Sequence, residues 1–242
     1  MLAIKLDGGL GNQLFQLAAA EYIANKAGYV LSIEDRVSPQ TRHSQIDYFS
    51  NVLGWWNDKP LLTDKTDTFH EEWFGELSGN LSGQNVLLTG YFQNWRYIDP
   101  LFIGRLRLPQ TPRTYSVFLH IRGRDYIWHW LHDVKLYDYY CRAINLFPPG
   151  THFDIFTDDI EYAKSSMDFL GRISHTFIEA DEITSISMMA SCAAGICANS
   201  TFSWWGAYLN PNRMIVMPDR WYNDCTIFTE GYYFPGVIKC RV

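Results

Sequence analysis

The chain has 242 residues, 47% hydrophobic and 16% aromatic against 19% charged, a composition that supports a large buried core and excludes intrinsic disorder. Twenty Lys+Arg against 26 Asp+Glu leave a formal charge of −6, which excludes a broad basic surface for nucleic acid, so any phosphate site must be local. The five cysteines form an odd set without C-x-x-C spacing, which argues against a disulfide framework and a zinc ribbon alike.

The opening MLAIKL is a short apolar strand, broken by Lys5 and Asp7 before it could serve as a secretory signal. Asp7-Gly8-Gly9-Leu10-Gly11-Asn12-Gln13 follows, then LFQLAAAEYIANKAG, whose Leu14, Leu17, Ala18, Tyr22 and Ala24 recur at helical spacing. Gly28 closes that helix and YVLSIE supplies a second strand, completing a βαβ unit and predicting a parallel sheet. Residues 36 to 85 are polar, aromatic and weakly periodic, and support only short helices; NVLLTGYFQ (85 to 93) returns as a strand with its exit turn. Two prolines within Leu108-Pro109-Gln110-Thr111-Pro112-Arg113 suit a linker.

After the linker the pattern restarts. YSVFLHI (115 to 121) is a strand, 136 to 147 a helix, HFDIFTDD (152 to 159) a strand, IEYAKSSMDFLG a helix capped by Gly171, RISHTFIE a strand and MIVMP (214 to 218) another. Ile183 to Asn212 holds no charge over thirty positions, yet its many Ser, Asn and Thr would lack partners in hydrocarbon, so it reads as a buried αβα stretch. The chain is therefore expected to be soluble and cytoplasmic. Its length accommodates two small α/β domains only tightly, a 1–110 domain and a 111–242 domain, expected as two Rossmann-like halves facing a cleft.

Four motifs carry chemistry. The first is GGLGNQ between strand and helix, where Gly9 and Gly11 permit close backbone approach and the helix start offers N–H groups to an anion. It is neither G-x-G-x-x-G nor Walker A, and a plain βα turn competes with the binding reading; Asn12 and Gln13 add amides suited to hydroxyl-rich ligands. The second, His120-Ile121-Arg122-Gly123-Arg124-Asp125-Tyr126, ends a strand whose alternation sets His120 and Arg122 on one side. Two guanidiniums beside Asp125 can hold a diphosphate, against a surface salt-bridge cluster as the alternative.

Phe156-Thr157-Asp158-Asp159 is the third: Asp159 suits a helix cap, and adjacent acids are no D-x-D metal motif. In the fourth, Asn199, Ser200, Thr201, Phe202 and Ser203 precede two tryptophans; an anion site lined by hydroxyls competes with a plain N-cap. No G-x-S-x-G elbow or H-E-x-x-H spacing is present.

Read together, GGLGNQLFQ, HIRGRDY and ANSTFSWWGAYLN resemble the signature of the alpha-1,2-fucosyltransferases, which transfer fucose from GDP-fucose to a sugar hydroxyl. GYFQNWRYI (90 to 98), IFTDD and IVMPDRW are similar to further segments of that family, so the resemblance covers nearly the whole chain. It implies a GT-B-like fold, inversion at fucose, no metal and no cofactor beyond the donor, with a glycan acceptor whose 2-OH on a terminal galactose is the expected target. It further implies a donor-binding second domain and an acceptor-side first domain, trimmed in so short a chain. By the same resemblance Arg122 would bind the β-phosphate, His120 would lie near the guanosine, and Asn12 would approach phosphate and fucose. Ser200, Thr201 and Phe202 would wrap the diphosphate and nucleoside, with Asp158, Asn199 and Ser203 counted beside them. Asp7 is the acid to test first as a base, with a turn role as its alternative. The family usually reads His-x-Arg-Arg-Gly-Asp, whereas Gly123-Arg124 inverts that pair, and Ser185 and Ala194 stand where the family commonly has an acid and a histidine. A different nucleotide sugar, or a non-catalytic carbohydrate-binding protein, are the competing readings.

Overall fold

The computed structural model describes residues 1–34, 46–62, 67–71, 81, 85–211 and 214–242. The chain divides into two compact units, Met1–Leu108 with Glu230–Tyr232, and Pro109–Thr229 with Tyr233–Val242.

In the first unit β1 (Leu2–Ile4) leads into α1 (Leu10–Ala27). α1 starts four residues earlier than its apolar periodicity indicates, so Gly11, Asn12 and Gln13 belong to its first turn. Gly8 makes this possible. Its φ of +78° reverses the chain, and a Cβ there would run into the Asn12 side chain. Gly28 ends the helix in the left-handed region, its N–H on the Ala24 carbonyl. α2 (Tyr48–Asn51), β2 (Asp67–His70), β3 (Val86–Thr89) and α3 (Pro100–Arg105) complete the unit. The strands form a parallel sheet in the order β1-β3-β2.

YVLSIE does not extend into a strand of its own. β1 is only three residues long, so the pairing stops at single bridges from Leu31 to Leu2 and from Ile33 to Leu61. Of the short helices expected across 36 to 85, those falling on 36–45, 63–66, 72–80 and 82–84 lie outside the described residues.

The second unit carries β4 (Val117–Ile121), α4 (Tyr137–Ile144), β5 (His152–Thr157), α5 (Ile160–Ser166), β6 (Ser174–Phe177), α6 (Glu182–Ser191), β7 (Ala194–Ile196), α7 (Thr201–Tyr208), β8 (Ile215–Pro218) and β9 (Val237–Cys240). Its six strands are all parallel in the order β6-β5-β4-β7-β8-β9. Alternation along β4 puts Val117, Leu119 and Ile121 into the core shared with Tyr139, Tyr140 and Ala143 of α4 and Ala163 of α5. Phe118 points the other way onto Gly195, where a Cβ would enter its ring. The Ile183–Asn212 stretch does form helix, strand, helix, with Asn210 donating to the Met189 and Cys192 carbonyls; its last residue lies outside the described residues.

The helix expected over 160–171 breaks at Met167, and Gly171 sits inside the 3-10 turn Asp168–Arg172 rather than in a left-handed cap. Phe169 and Leu170 of that turn are buried in the core, and their packing overrides the helical register. β2, β9 and α3 have no counterpart in the sequence pattern: β2 is four mostly exposed residues and β9 is half-exposed, so neither shows an apolar run. All five cysteines are free, and burial pushes the Cys192 thiol up to about 11. Among the described residues no helix is long and apolar enough to cross a membrane.

Candidate functional site

In the first unit the carboxyl ends of the strands carry a network of neutral amides. Gly9 caps α1 in an extended conformation without a side-chain cap. Gln13 donates from Nε2 to the Gly8 carbonyl (2.8 Å), while Gln16 accepts the Asp7 N–H (3.0 Å) and donates to the Gly90 carbonyl (2.8 Å). Asn12 accepts from Gln93 Nε2 (2.9 Å), and Gln93 accepts in turn from the Tyr232 hydroxyl. Asp7 is exposed; its carboxylate holds its own turn through the Gly8 N–H (2.8 Å) and accepts from the Tyr91 hydroxyl (3.1 Å). Asp7 therefore has the turn role, and an exposed carboxylate as well.

Sequence reasoning missed Glu71. Its Oε2 accepts the Phe92 N–H (2.6 Å), Oε1 is buried without a hydrogen-bond partner among the described residues, and burial raises its pKa to about 7. It anchors the Gly90–Gln93 turn, which bends sharply enough to put Phe92 at φ +49°. No sequence signal marked it, because the segment around it is weakly periodic.

In the second unit the cluster is ionic. Arg122, directly after β4, is gripped by Asp158 through Nη1 and by Asp125 through Nη2, each at 2.6 Å, and its guanidinium lies 4.9 Å over the Tyr126 ring. Asp158 also accepts the Gly123 N–H (2.7 Å). Asp159 caps α5 by accepting the Tyr162 N–H (2.9 Å), as the sequence suggested. The inverted Gly123-Arg124 pair has a steric reason: a Cβ at 123 would stand 2.7 Å from the Asp159 Cβ. Arg124 takes the next position, exposed, at φ +40°.

His120 is 2% exposed, with Nδ1 lacking a partner and its ring 5.6 Å from that of Phe202. Burial, aided by Arg122, lowers its pKa to about 3, so the imidazole is neutral. Ser200 caps α7 by accepting the Phe202 N–H (3.4 Å), and Tyr126 hydrogen-bonds the Ser200 side chain. Thr201 and Phe202 are half-buried in the first turn of α7. Ser203 is fully buried and donates to the Ser200 carbonyl (3.3 Å). Asn199 spends its amide on the carbonyls of His132 (3.0 Å) and Trp221 (2.8 Å), tying two loops together. Ser185 and Ala194 are both buried, Ser185 inside α6 and Ala194 inside β7.

Beside Arg122 opens a cavity of about 270 Å³ lined by Tyr126, His132, Tyr137, Tyr140, Tyr162 and Asn199 among others. That is just under the range of roughly 300–1,000 Å³ usual for small-molecule pockets. His132 lines it with a pKa lowered to about 4, by burial first and then by His129, and Nδ1 has no protein partner. The tyrosines escaped sequence reasoning because they look like ordinary core; only their convergence on one arginine marks them.

Residues 92–236, more than half of the chain, match the model of glycosyl transferase family 11. The chain belongs to this family. As a family 11 protein it is a glycosyltransferase, and its relatives agree. The Escherichia coli O-antigen biosynthesis glycosyltransferase WbnK is 28% identical over an alignment 288 positions long, covering 90% of this chain and 93% of the relative. An Escherichia coli alpha-1,2-colitosyltransferase is 25% identical over 269, covering 92% of each. Among solved structures, fucosyltransferase NodZ from Bradyrhizobium matches with a TM-score of 0.55 at 14% identity, over 87% of this chain and 93% of that one. NodZ alpha-1,6-fucosyltransferase soaked with GDP-fucose matches with a TM-score of 0.52 at 13% identity, over 87% and 92%. These structures support a GT-B-like fold for this family 11 glycosyltransferase, in line with the resemblance that its motifs carry.

Proposed function

We propose that the protein transfers L-fucose from GDP-fucose to a sugar hydroxyl, the 2-OH of a terminal galactose, with inversion and without a metal. The observation that carries this reading is Arg122 held between Asp125 and Asp158 beside a cavity rich in tyrosine. Departure of a nucleoside diphosphate develops negative charge, and a fixed guanidinium aimed there stabilises it without a cation. The grip of two carboxylates sets a condition. A diphosphate reaching Arg122 competes with the more exposed of its two carboxylates, Asp125 at 45%, while Asp158 at 16% stays as the brace.

Inversion requires the acceptor hydroxyl to attack an oxocarbenium-like centre from the face opposite the phosphate. Asp7 is the base we propose, and the donor role of Asn12 rests on its match to the family's glycine loop. Asp7→Asn is expected to lower kcat and leave the donor KM unchanged; full activity in that variant removes the base. EDTA is expected to change little, and strict dependence on manganese would contradict the metal-free reading.

One observation favours a second reading. A relative is an alpha-1,2-colitosyltransferase, and colitose is the 3-deoxy form of L-fucose, so the donor here could be that neighbour of fucose. Incubation with GDP-fucose or its 3-deoxy analogue and a β-galactoside, with products weighed by mass spectrometry, separates the two. Transfer from the deoxy sugar alone sinks the fucose version.

A further inference from the structure

Trp128 and Trp130 expose 88% and 74% of their surface, two residues apart on the loop that follows Arg122. Single exposed aromatics are ordinary. This pair is different, because the loop carries both rings outward and holds Trp128 there against its backbone preference. Trp128 sits at φ +64°, a region a bulky side chain avoids. Asp133 fixes it there by accepting the Trp128 N–H (3.0 Å) and pairing with Lys135 (2.6 Å), whose ammonium lies 5.4 Å from the Trp128 ring. Asn223 pins the same loop, donating its N–H to Leu131 and its side-chain amide to the Trp130 and Asp133 carbonyls.

The rings also form a ladder. Arg122 lies on Tyr126, Tyr126 stacks on His132 (4.9 Å), His132 meets His129 (4.6 Å), and His129 stacks beside Trp130 (6.3 Å). One loop thus runs from the phosphate-binding candidate to two largely exposed indoles.

We propose that Trp128 and Trp130 form a stacking platform for the acceptor saccharide, with His129 as its hydroxyl-facing donor. A pyranose offers a flat face of C–H bonds, carrying partial positive charge, to an indole face carrying partial negative charge. In a β-galactoside the axial 4-OH leaves the C3, C4 and C5 hydrogens together on one face, which suits this contact. His129 Nδ1 accepts the N–H groups of Leu131 and His132 (both 3.3 Å), which makes Nε2 the ring nitrogen that would donate to a sugar hydroxyl. A lipid surface or a second copy fits less well. The tryptophans are separated by a histidine and bordered by paired charges instead of a continuous apolar patch, and Lys135 is bound to Asp133.

The proposal rests on the glycosyltransferase reading above, and its test keeps the two apart. Saturation-transfer NMR with lactose as probe, on the full chain with GDP present, would compare wild type with Trp128→Ala, Trp130→Ala and Trp130→Tyr. The expected result is a lactose signal reduced at least fivefold in either alanine variant and largely recovered by tyrosine, with GDP affinity by calorimetry within twofold of wild type. Far-UV circular dichroism checks the fold, and Trp128→Gly, which suits a positive φ, supplies a second loss of the ring that relieves the backbone. Lactose signal undiminished in the alanine variants, or absent from wild type, overturns the platform. A change from dimer to monomer in those variants with the lactose signal intact also overturns it, in favour of self-association. A wild type that ignores GDP while its lactose signal still depends on Trp130 would support the platform and sink the nucleotide reading.

Discussion

The two units solve the same problem with different chemistry. Each ends a parallel strand in a turn that the proposed function opens to a ligand. In the first, the glycine loop is held mostly by amides and hydroxyls, those of Gln13, Gln16, Gln93, Asn12 and Tyr232, with a single carboxylate, Asp7, on the Gly8 N–H and the Tyr91 hydroxyl. In the second, the Arg122 turn is held by two carboxylates and an aromatic ring. Neutral amides position a backbone without adding charge, which suits a loop meeting hydroxyls. Ion pairs keep a cation rigid yet exchangeable, which suits the phosphate contact proposed for Arg122. Strain is confined to the same places: the three non-glycine residues with positive φ among those described, Phe92, Arg124 and Trp128, all lie on turns at these strand ends.

The contrast can be broken at four points, in falling order of effect. Arg122→Ala should lower kcat by about 10²–10³ or more with the circular dichroism spectrum retained, whereas Arg122→Lys should recover only part, since a point charge cannot be gripped on two sides. Wild-type rates in the alanine variant would end the ionic half of the comparison. Gln93→Leu removes the bonds to Asn12 and Tyr232 and should lower stability by about 1–3 kcal/mol in urea titration, with roughly tenfold less kcat/KM. A large kcat loss without destabilisation would mean that Gln93 touches substrate directly.

Glu71 gives the third test. Its pKa in the fold, about 7, lies above its unfolded value of 4.5, so its contribution to stability is fully present below pH 4.5 and is lost as pH rises through 7. Glu71→Gln should therefore flatten the stability curve between those values and leave the variant more stable than wild type at pH 8. An unchanged pH profile would show that the carboxyl is solvated and not the anchor of its turn. The smallest effect is expected from Trp128→Gly, which relieves the positive φ but loosens the unfolded chain; Tm should stay level or rise, by roughly 0–1 kcal/mol in stability. A clear fall in Tm would mean that the indole holds the loop instead of straining it.

Much of this was legible in the sequence because alternation and helical spacing dominate where both faces are buried. β4, β5, α7 and the charge-free αβα stretch fall in that class. The Asp125–Arg122 contact was readable too, since a carboxylate three residues away in a turn can only reach back. What escaped depends on distant residues. Glu71 meets Phe92 across 21 positions, Gln93 meets Asn12 across 81 and Tyr232 meets Gln93 across 139, and Tyr137, Tyr140 and Tyr162 reach the cavity beside Arg122 from α4 and α5. The break of the 160–171 helix likewise follows from Phe169 and Leu170 finding the core, a tertiary preference that no local window contains.

The placement of Tyr232 in the first unit has a consequence for biosynthesis. A nascent chain that has already made β1, α1, β2 and β3 still lacks the hydroxyl that Gln93 accepts, because it arrives only after the whole six-stranded sheet but β9 has been translated. The amide network beneath the glycine loop is thus completed only once Tyr232 has been made, when all of that sheet but β9 has been translated. One tyrosine thereby ties the finishing of the first unit's amide network to a late stage of synthesis.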